Sequence, residues 1–251
     1  MLKKFVLFII TLLMVSASLC AQSRVFDTSR PDRLLTFGVR AGINSSGLDN
    51  NYLSAQPEMI RNNFYWRMGG QIGGSVDLYL RNFLSIQTGF FWENRAFDSA
   101  LMAADADTDY MGSMFVNSRF NYFHIPVMLS LKFNLLPGLV GEFDFGAYYA
   151  IGIGGKKKQH SYLAFGDTDG NLIFDTSLQE TGYFDATSKD FLAVKKSDFG
   201  LKTGAGLTFF EHYFIGVYYQ RGLKNIAKQN AGSPHLEFHN SSWSVSLGYN
   251  F

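Results

Sequence analysis

The chain has 251 residues, 22 of them basic and 21 acidic, and carries 25 Phe, 13 Tyr and 25 Gly against 5 Pro. That length fits one domain, and the mix suits strands and turns better than helices. A formal net charge of +1 gives no basic footprint, so no nucleic-acid partner is expected.

The N-terminus reads as a signal peptide over residues 1–21. Lys3 and Lys4 supply the positive start, and Phe5 to Leu19 is an apolar run too short for a stable anchor. Cys20 raises a lipid anchor, but Leu19 is bulky before a lipidated cysteine, and cleavage after Ala21 is the better reading. Because Cys20 is the only cysteine, the mature chain has no disulfide and no thiolate metal site. Losing Lys3 and Lys4 leaves 20 basic against 21 acidic residues, a formal charge of −1. Residues 22–33 form a short periplasmic segment and 34–251 the main domain. No later stretch is apolar for long enough to be a transmembrane helix, which leaves a closed barrel as the way to cross a bilayer.

Eight segments alternate with period two. In the first, Leu35, Phe37, Val39, Ala41 and Ile43 oppose Thr36, Gly38, Arg40, Gly42 and Asn44. In the second, about 66–80, Trp66, Met68, Ile72, Val76, Leu78 and Leu80 oppose Arg67, Gln71, Ser75 and Asp77. The third, about 83–95, sets Leu84, Ile86, Phe90 and Trp92 against Ser85, Gln87, Gly89, Glu93 and Arg95. The fourth, about 120–133, sets Phe123, Ile125, Val127, Leu129 and Leu131 against His124, Ser130 and Lys132. The fifth has Phe143, Phe145, Ala147, Tyr149, Ile151 and Ile153 against Glu142, Asp144, Gly146 and Gly152. The sixth has Phe199, Leu201, Ala205 and Leu207 against Asp198, Gly200, Lys202 and Gly204. The seventh has Tyr213, Ile215, Val217 and Tyr219 against Gly216, Tyr218, Gln220 and Gly222. The eighth has Trp243, Val245, Leu247, Tyr249 and Phe251 against Ser244, Ser246, Gly248 and Asn250.

Connections alternate short and long. Arg81–Asn82, the Pro137–Gly138 turn and Phe210–His212 are short, whereas 45–65, 96–118, 155–197 and 224–241 are long. Short periplasmic turns and long outer loops are the habit of bacterial barrels, which puts both termini in the periplasm. Trp66, Trp92 and Trp243 all fall on the apolar face at the long-loop end, where an interfacial girdle belongs.

Alternation alone does not say which face is inside, and a soluble ligand-binding barrel would turn the apolar face inward. Eight strands leave room inside only for modest side chains, so the bulky face belongs against lipid. The closing Tyr249-Asn250-Phe251 is similar to the assembly signal of outer-membrane barrels. The expected fold is therefore an all-β, eight-stranded antiparallel up-and-down transmembrane barrel. Its lumen would hold Arg40, Arg67, Arg95, Lys132 and Lys202 with Asp77, Glu93, Glu142, Asp144 and Asp198. Opposite charges in so narrow a space must pair, which predicts a plugged lumen and not a porin-like pore.

Four stretches carry a family resemblance. Tyr122-Phe123-His124-Ile125-Pro126-Val127-Met128-Leu129-Ser130-Leu131-Lys132-Phe133 resembles the LEIPLLLKY strand of the PorT-like outer-membrane β-barrel family. Asp198-Phe199-Gly200-Leu201-Lys202-Thr203-Gly204-Ala205-Gly206 is similar to its DFGLVLGAG strand, and Tyr219 to Ile226 to its RYSLGLTNI stretch. Phe37 to Ser46 fits its first strand. His124 departs from the family, which carries Glu there. The resemblance implies an eight-stranded outer-membrane barrel and, for the family's namesake, a part in assembling the type IX secretion machinery.

Catalytic chemistry finds little purchase. His160, His235 and His239 fall in outer loops with several Ser and Asp, but no spacing makes a triad. No metal is assigned to His235, Glu237 and His239. Asp167-Thr168-Asp169-Gly170-Asn171 lacks the closing Glu of a calcium loop and reads as a hairpin turn between 161–165 and 172–175. Asp98, Asp105, Asp107 and Asp109 read as a solvated acidic loop. Lys156, Lys157 and Lys158 leave the fifth strand where they can meet lipopolysaccharide phosphates. No catalytic, cofactor or metal residue is assigned. The expected partners are outer-membrane lipid and lipopolysaccharide, the barrel-assembly machinery, and secretion-complex proteins. A barrel enzyme acting on envelope lipid is the runner-up.

Overall fold

The computed structural model describes residues 25–51, 59–105, 110–166, 171–185, 192–229 and 235–251. The expected cleavage site, Asp107 and Asp109 of the acidic stretch, and the centre of the 167–171 turn lie outside them. Among the described residues there are nine strands: β1 (Leu35–Asn50), β2 (Met59–Arg81), β3 (Leu84–Asp105), β4 (Tyr110–Leu136), β5 (Leu139–Gly166), β6 (Leu172–Gly182), β7 (Ser197–Phe209), β8 (Tyr213–Gly222) and β9 (Phe238–Asn250). All pair antiparallel. Eight close into a ring in the order β1-β2-β3-β4-β5-β7-β8-β9, with β9 returning to β1 and β4 bonded to β5. No described helix is long and apolar enough to cross a membrane.

The inside-out arrangement follows from the alternation. Phe37, Val39, Ile43, Ile72, Phe143, Phe145, Val217 and Leu247 are exposed on the outer wall. Arg40, Asp77, Glu93, Arg95, Lys132, Glu142, Asp144, Asp198 and Lys202 are buried in the lumen. A soluble barrel would show the reverse. Trp66, Trp92 and Trp243 face outward, and Trp243 lies against Tyr219 at 4.7 Å between rings. At the short-turn end His212, Tyr213, Tyr249 and Phe251 form a second outward aromatic group.

Two expectations are corrected here. Arg67 is not in the lumen. A register shift between Arg67 and Gly70 breaks the ladder with β3, and Arg67 turns outward, Nε 3.3 Å from Asp98 Oδ2. A bulge of this kind re-aims one side chain without disturbing the strand beyond it. Three of the four long connections, 45–65, 96–118 and 155–197, are also largely strand among the described residues, and only 224–241 is not. β3 runs on to Asp105 and β4 starts at Tyr110, so 96–118 is nearly all ladder. Beyond the hydrocarbon the outer face need not be apolar, so the alternating signal ends before the strand does.

The ninth strand is the larger surprise. Up to Ile151, β5 pairs with β7; from Lys156 onward it pairs with β6. The changeover falls in Gly152-Ile153-Gly154-Gly155. A Cβ on Gly155 would sit 2.6 Å from the Arg119 carbonyl oxygen, so only glycine lets β4 pass so close. Above this point β2, β3, β4, β5 and β6 continue as a sheet standing off the ring. The expected hairpin thus exists and is longer than foreseen, 156–166 against 172–182.

Candidate functional site: a sealed lumen and a built-out sheet

The lumen is filled in layers. Nearest the short turns, Lys132 Nζ donates to Tyr79 Oη at 2.8 Å and stands 3.6 Å from Asp77 Oδ1 and 3.7 Å from Glu142 Oε2. Arg40 Nη2 donates to Asn250 Oδ1 at 2.6 Å, with its guanidinium 4.1 Å over the Phe214 ring. Above lie Tyr218, donating to Asp144 Oδ2 at 2.7 Å, and Lys202, whose ammonium faces the rings of Tyr218 and Phe91 at 5.2 and 5.8 Å. A cavity of about 20 Å³ beside Lys202 is room for a single water.

The third layer is the densest. Glu93 and Arg95 sit two apart on β3 and so share the inner face. Arg95 Nε and Nη2 both donate to Glu93 Oε2, at 2.9 and 2.6 Å, and Nη1 lies 3.8 Å from Asp198 Oδ2 on β7. Asp198 accepts from Asn240 of β9 at 2.9 Å and from Tyr148 of β5 at 3.2 Å. Glu93 also accepts from Gln220 of β8 at 3.2 Å, and His124 Nδ1 of β4 lies 3.6 Å from Glu93 Oε1. One buried cluster therefore ties together β3, β4, β5, β7, β8 and β9. At this level Glu93 therefore meets an imidazole.

Above the charges the filling turns apolar. The connections after β6 and β8 fold inward and close the mouth. Tyr183 stacks on Phe120 at 4.1 Å and 6°, and Phe184 meets Tyr122 edge-on at 5.5 Å. Gly152 makes this fit: a Cβ there would stand 2.2 Å from the Phe184 ring. Val194 and Ala227 form a bridge between the two connections, backed by Lys195 N to Ile226 O at 2.7 Å. Within the long 155–197 connection, Tyr183-Phe184 is the lid.

On the outside, strand alternation divides the lysine run. Lys157 turns inward and is 3 % exposed, while Lys156 and Lys158 face out and share Glu180 of β6, at 2.8 and 3.4 Å. The hydrogen bond to Glu180 raises the proton affinity of Lys156, and Glu180 is held below the usual carboxylate range. At the opposite end a recess of about 490 Å³ opens between the short turns, lined among others by Arg33, Tyr79, Lys132, Glu142 and Asn250. The chain before β1 runs beneath it, with Asn134 N donating to Val25 O and Phe83 N to Asp27 O.

The histidines do not converge. His235 Nε2 lies 3.7 Å from Glu237 Oε1 in an exposed pair, His160 sits on the outer face of β5 opposite Phe115, and His212 bonds the Asn250 carbonyl. Among the described residues no three His, Cys, Asp or Glu are grouped to hold a metal.

A closed antiparallel ring with a bulky apolar exterior and a charged, packed interior is an outer-membrane β-barrel. The chain belongs to the outer membrane protein beta-barrel domain family, whose model matches residues 20–228. No curated protein matches it. Among solved structures it is similar to Ail of Yersinia pestis in complex with the heparin analogue sucrose octasulfate, at 14 % identity and TM-score 0.40, over 87 % of this chain and 100 % of that one. It is also similar to OprG of Pseudomonas aeruginosa, at 12 % and 0.41, over 90 % and 99 %.

Two outcomes are expected. Arg95→Leu should destabilise the barrel by about 3–5 kcal/mol, since it leaves Glu93 and Asp198 buried without their cation; denaturant unfolding in detergent reads this, and adding Glu93→Gln should recover part of the loss. In planar bilayers the protein should show no porin-sized conductance, and Tyr183→Ala with Phe184→Ala should leave it closed. A large open channel on removing that pair would place the seal in the aromatic lid and not in the charge layers.

Proposed function

We propose that this chain is a non-enzymatic integral barrel delivered by the leader at 1–21, with both termini and the short turns in the periplasm and the built-out sheet outside. It works through its surfaces, as a PorT-like accessory of protein secretion or envelope assembly. The observation that carries this reading is the filled lumen. A barrel whose bore holds a hydrogen-bonded charge cluster under an aromatic lid offers solutes no path, yet it extends four of its strands and adds a fifth beyond the wall. Function is then argued from rims and faces. The strand resemblances at 122–133 and 198–206 support the PorT-like assignment.

Lipid contact follows from the same geometry. Arg119 and Lys156 are directly opposed on β4 and β5, with Lys158 two residues on. This outward basic group lies just past Ile153, the last lipid-facing side chain of β5. It suits the phosphates of lipopolysaccharide. The closing Tyr249-Asn250-Phe251 strand suits recognition by the barrel-assembly machinery.

The role is tested by photo-crosslinking in intact cells from Arg33, on the short-turn rim, and from Tyr162, on the built-out sheet. Reproducible adducts with secretion-machine components from either position are expected. Cells in which both positions yield only lipid adducts would remove the accessory role. Lys156→Ala with Lys158→Ala and Arg119→Ala should reduce co-purifying lipopolysaccharide several-fold, and unchanged lipid content would show the basic group to be incidental.

A further inference from the structure

β6 has a free edge. Its inner side bonds β5, and among the described residues no strand pairs with the other side. Native proteins blunt such edges with Lys, Pro, bulges, short length or a covering element. Among the described residues nothing covers β6, and it has no Lys, Pro or bulge; its only charges are Asp175 and Glu180. It runs for 11 residues as Leu-Ile-Phe-Asp-Thr-Ser-Leu-Gln-Glu-Thr-Gly, with an unbroken register against β5. Its largest side chains stand in the open: Phe174 is 75 % exposed, Leu178 68 % and Leu172 65 %.

One register of the strand against itself, centred on Thr176, gives both Phe174 and Leu178 an apolar partner. A two-fold axis normal to the sheet keeps each face on its own side and pairs β6 antiparallel with its copy. Centred on Thr176, that axis sets Phe174 opposite Leu178 of the second copy, twice over. Asp175 then meets Ser177, Ile173 meets Gln179, and Leu172 meets Glu180, so no acid faces an acid. Centring on Asp175 would oppose two carboxylates, and centring on Ser177 would set Phe174 against Glu180; both are poorer cross-strand pairs. In the Thr176 register Phe174 and Leu178 also extend the apolar face already formed by Phe115 and Tyr162, whose rings lie 6.3 Å apart.

We propose that β6 is a homotypic docking edge that pairs with β6 of a second copy in the register centred on Thr176. Antiparallel pairing reverses the second barrel end for end. Two copies inserted the same way in one membrane cannot meet like this, so the contact joins opposed membranes by their built-out sheets. That geometry rests on the outward orientation of the sheet given above. Thr176 pairs with Tyr162, nine residues beyond Ile153. At about 3.3 Å per residue and a tilt of about 40°, the contact stands roughly 23 Å above the hydrocarbon.

Cysteine placement tests the register in detergent, where membrane orientation plays no part. In a Cys20→Ser background, Thr176→Cys should give a disulfide dimer on mild oxidation. Phe174→Cys alone should not, because its copy lies four residues away, about 13 Å along the strand and beyond disulfide reach. Mixing Phe174→Cys with Leu178→Cys chains should restore the crosslink. Leu178→Lys should reduce the Thr176→Cys dimer at least tenfold. A Thr176→Cys chain that stays monomeric while its heat-dependent gel shift reports a folded barrel would overturn the proposal, as would equal crosslinking from Phe174→Cys alone. Phospholipid vesicles carrying the wild-type chain should cluster and those carrying Leu178→Lys should not. A detergent dimer with no vesicle clustering would overturn the opposed-membrane arrangement specifically and leave the accessory role of the barrel untouched.

Discussion

Within hydrocarbon no water reaches the backbone, so every amide and carbonyl must find its partner in protein. The rest of this structure follows from that constraint. It forces the sheet to close, and the closure here is completed by β9 returning to β1 along thirteen paired positions from Gly38↔Asn250 to Asn50↔Phe238. Once closed, strand alternation leaves only two places for side chains. Phe, Leu, Ile and Val take the outside because lipid is their solvent, and the polar half of each strand is trapped in a bore too narrow to hydrate it.

Trapping creates the second requirement. A buried ion is tolerable only with a partner, and a buried pair stabilises little by itself; its main effect is on which arrangement is allowed. The Glu93–Arg95–Asp198 cluster draws on six strands, so a one-residue slip of β3 or β7 would carry a charge out to lipid and leave its partner alone, and a slip of β5, β8 or β9 would remove a hydrogen bond from a buried carboxylate. The cluster thus acts on register more than on net stability. The aromatic lid above it works differently. Tyr183 and Phe184 bury apolar area against Phe97 and Phe120 and exclude water from the charges beneath, which strengthens the electrostatic terms there.

Legibility in the sequence tracked these constraints. The eight ring strands were readable because lipid demands an apolar residue at every second position. Nine of the ten lumen charges were placed correctly by the same rule, and Arg67 failed because a bulge shifts parity locally and carries no strong composition mark. Lys157 was hidden for the same reason: unbroken alternation from Phe143 to Ile153 would turn it outward, and only the register shift opposite Asn121–Tyr122 reverses the parity and brings it inside. What could not be read was whatever stands beyond the hydrocarbon. There β3, β4 and β5 continue with mixed faces, and β6 has both faces in the open. The lid was hidden for a related reason: Tyr183 and Phe184 lie in an irregular segment with no period, and only their contacts with Phe120 and Tyr122 give them meaning.

The two halves of the molecule therefore answer the edge problem in opposite ways. In the membrane the ring abolishes edges. Past Gly152, β5 exchanges β7 for β6, the ring is abandoned on that side, and an edge is made again where closure could have continued. Gly152 and Gly155 sit at the point of exchange, one clearing space for the Phe184 ring and the other for the backbone of β4. The glycines that let the lid close are thus neighbours of the residues that release the sheet. Sealing the bore and exposing the edge are consequences of one local change of partner, which is why the barrel that fills its bore also presents a free strand edge.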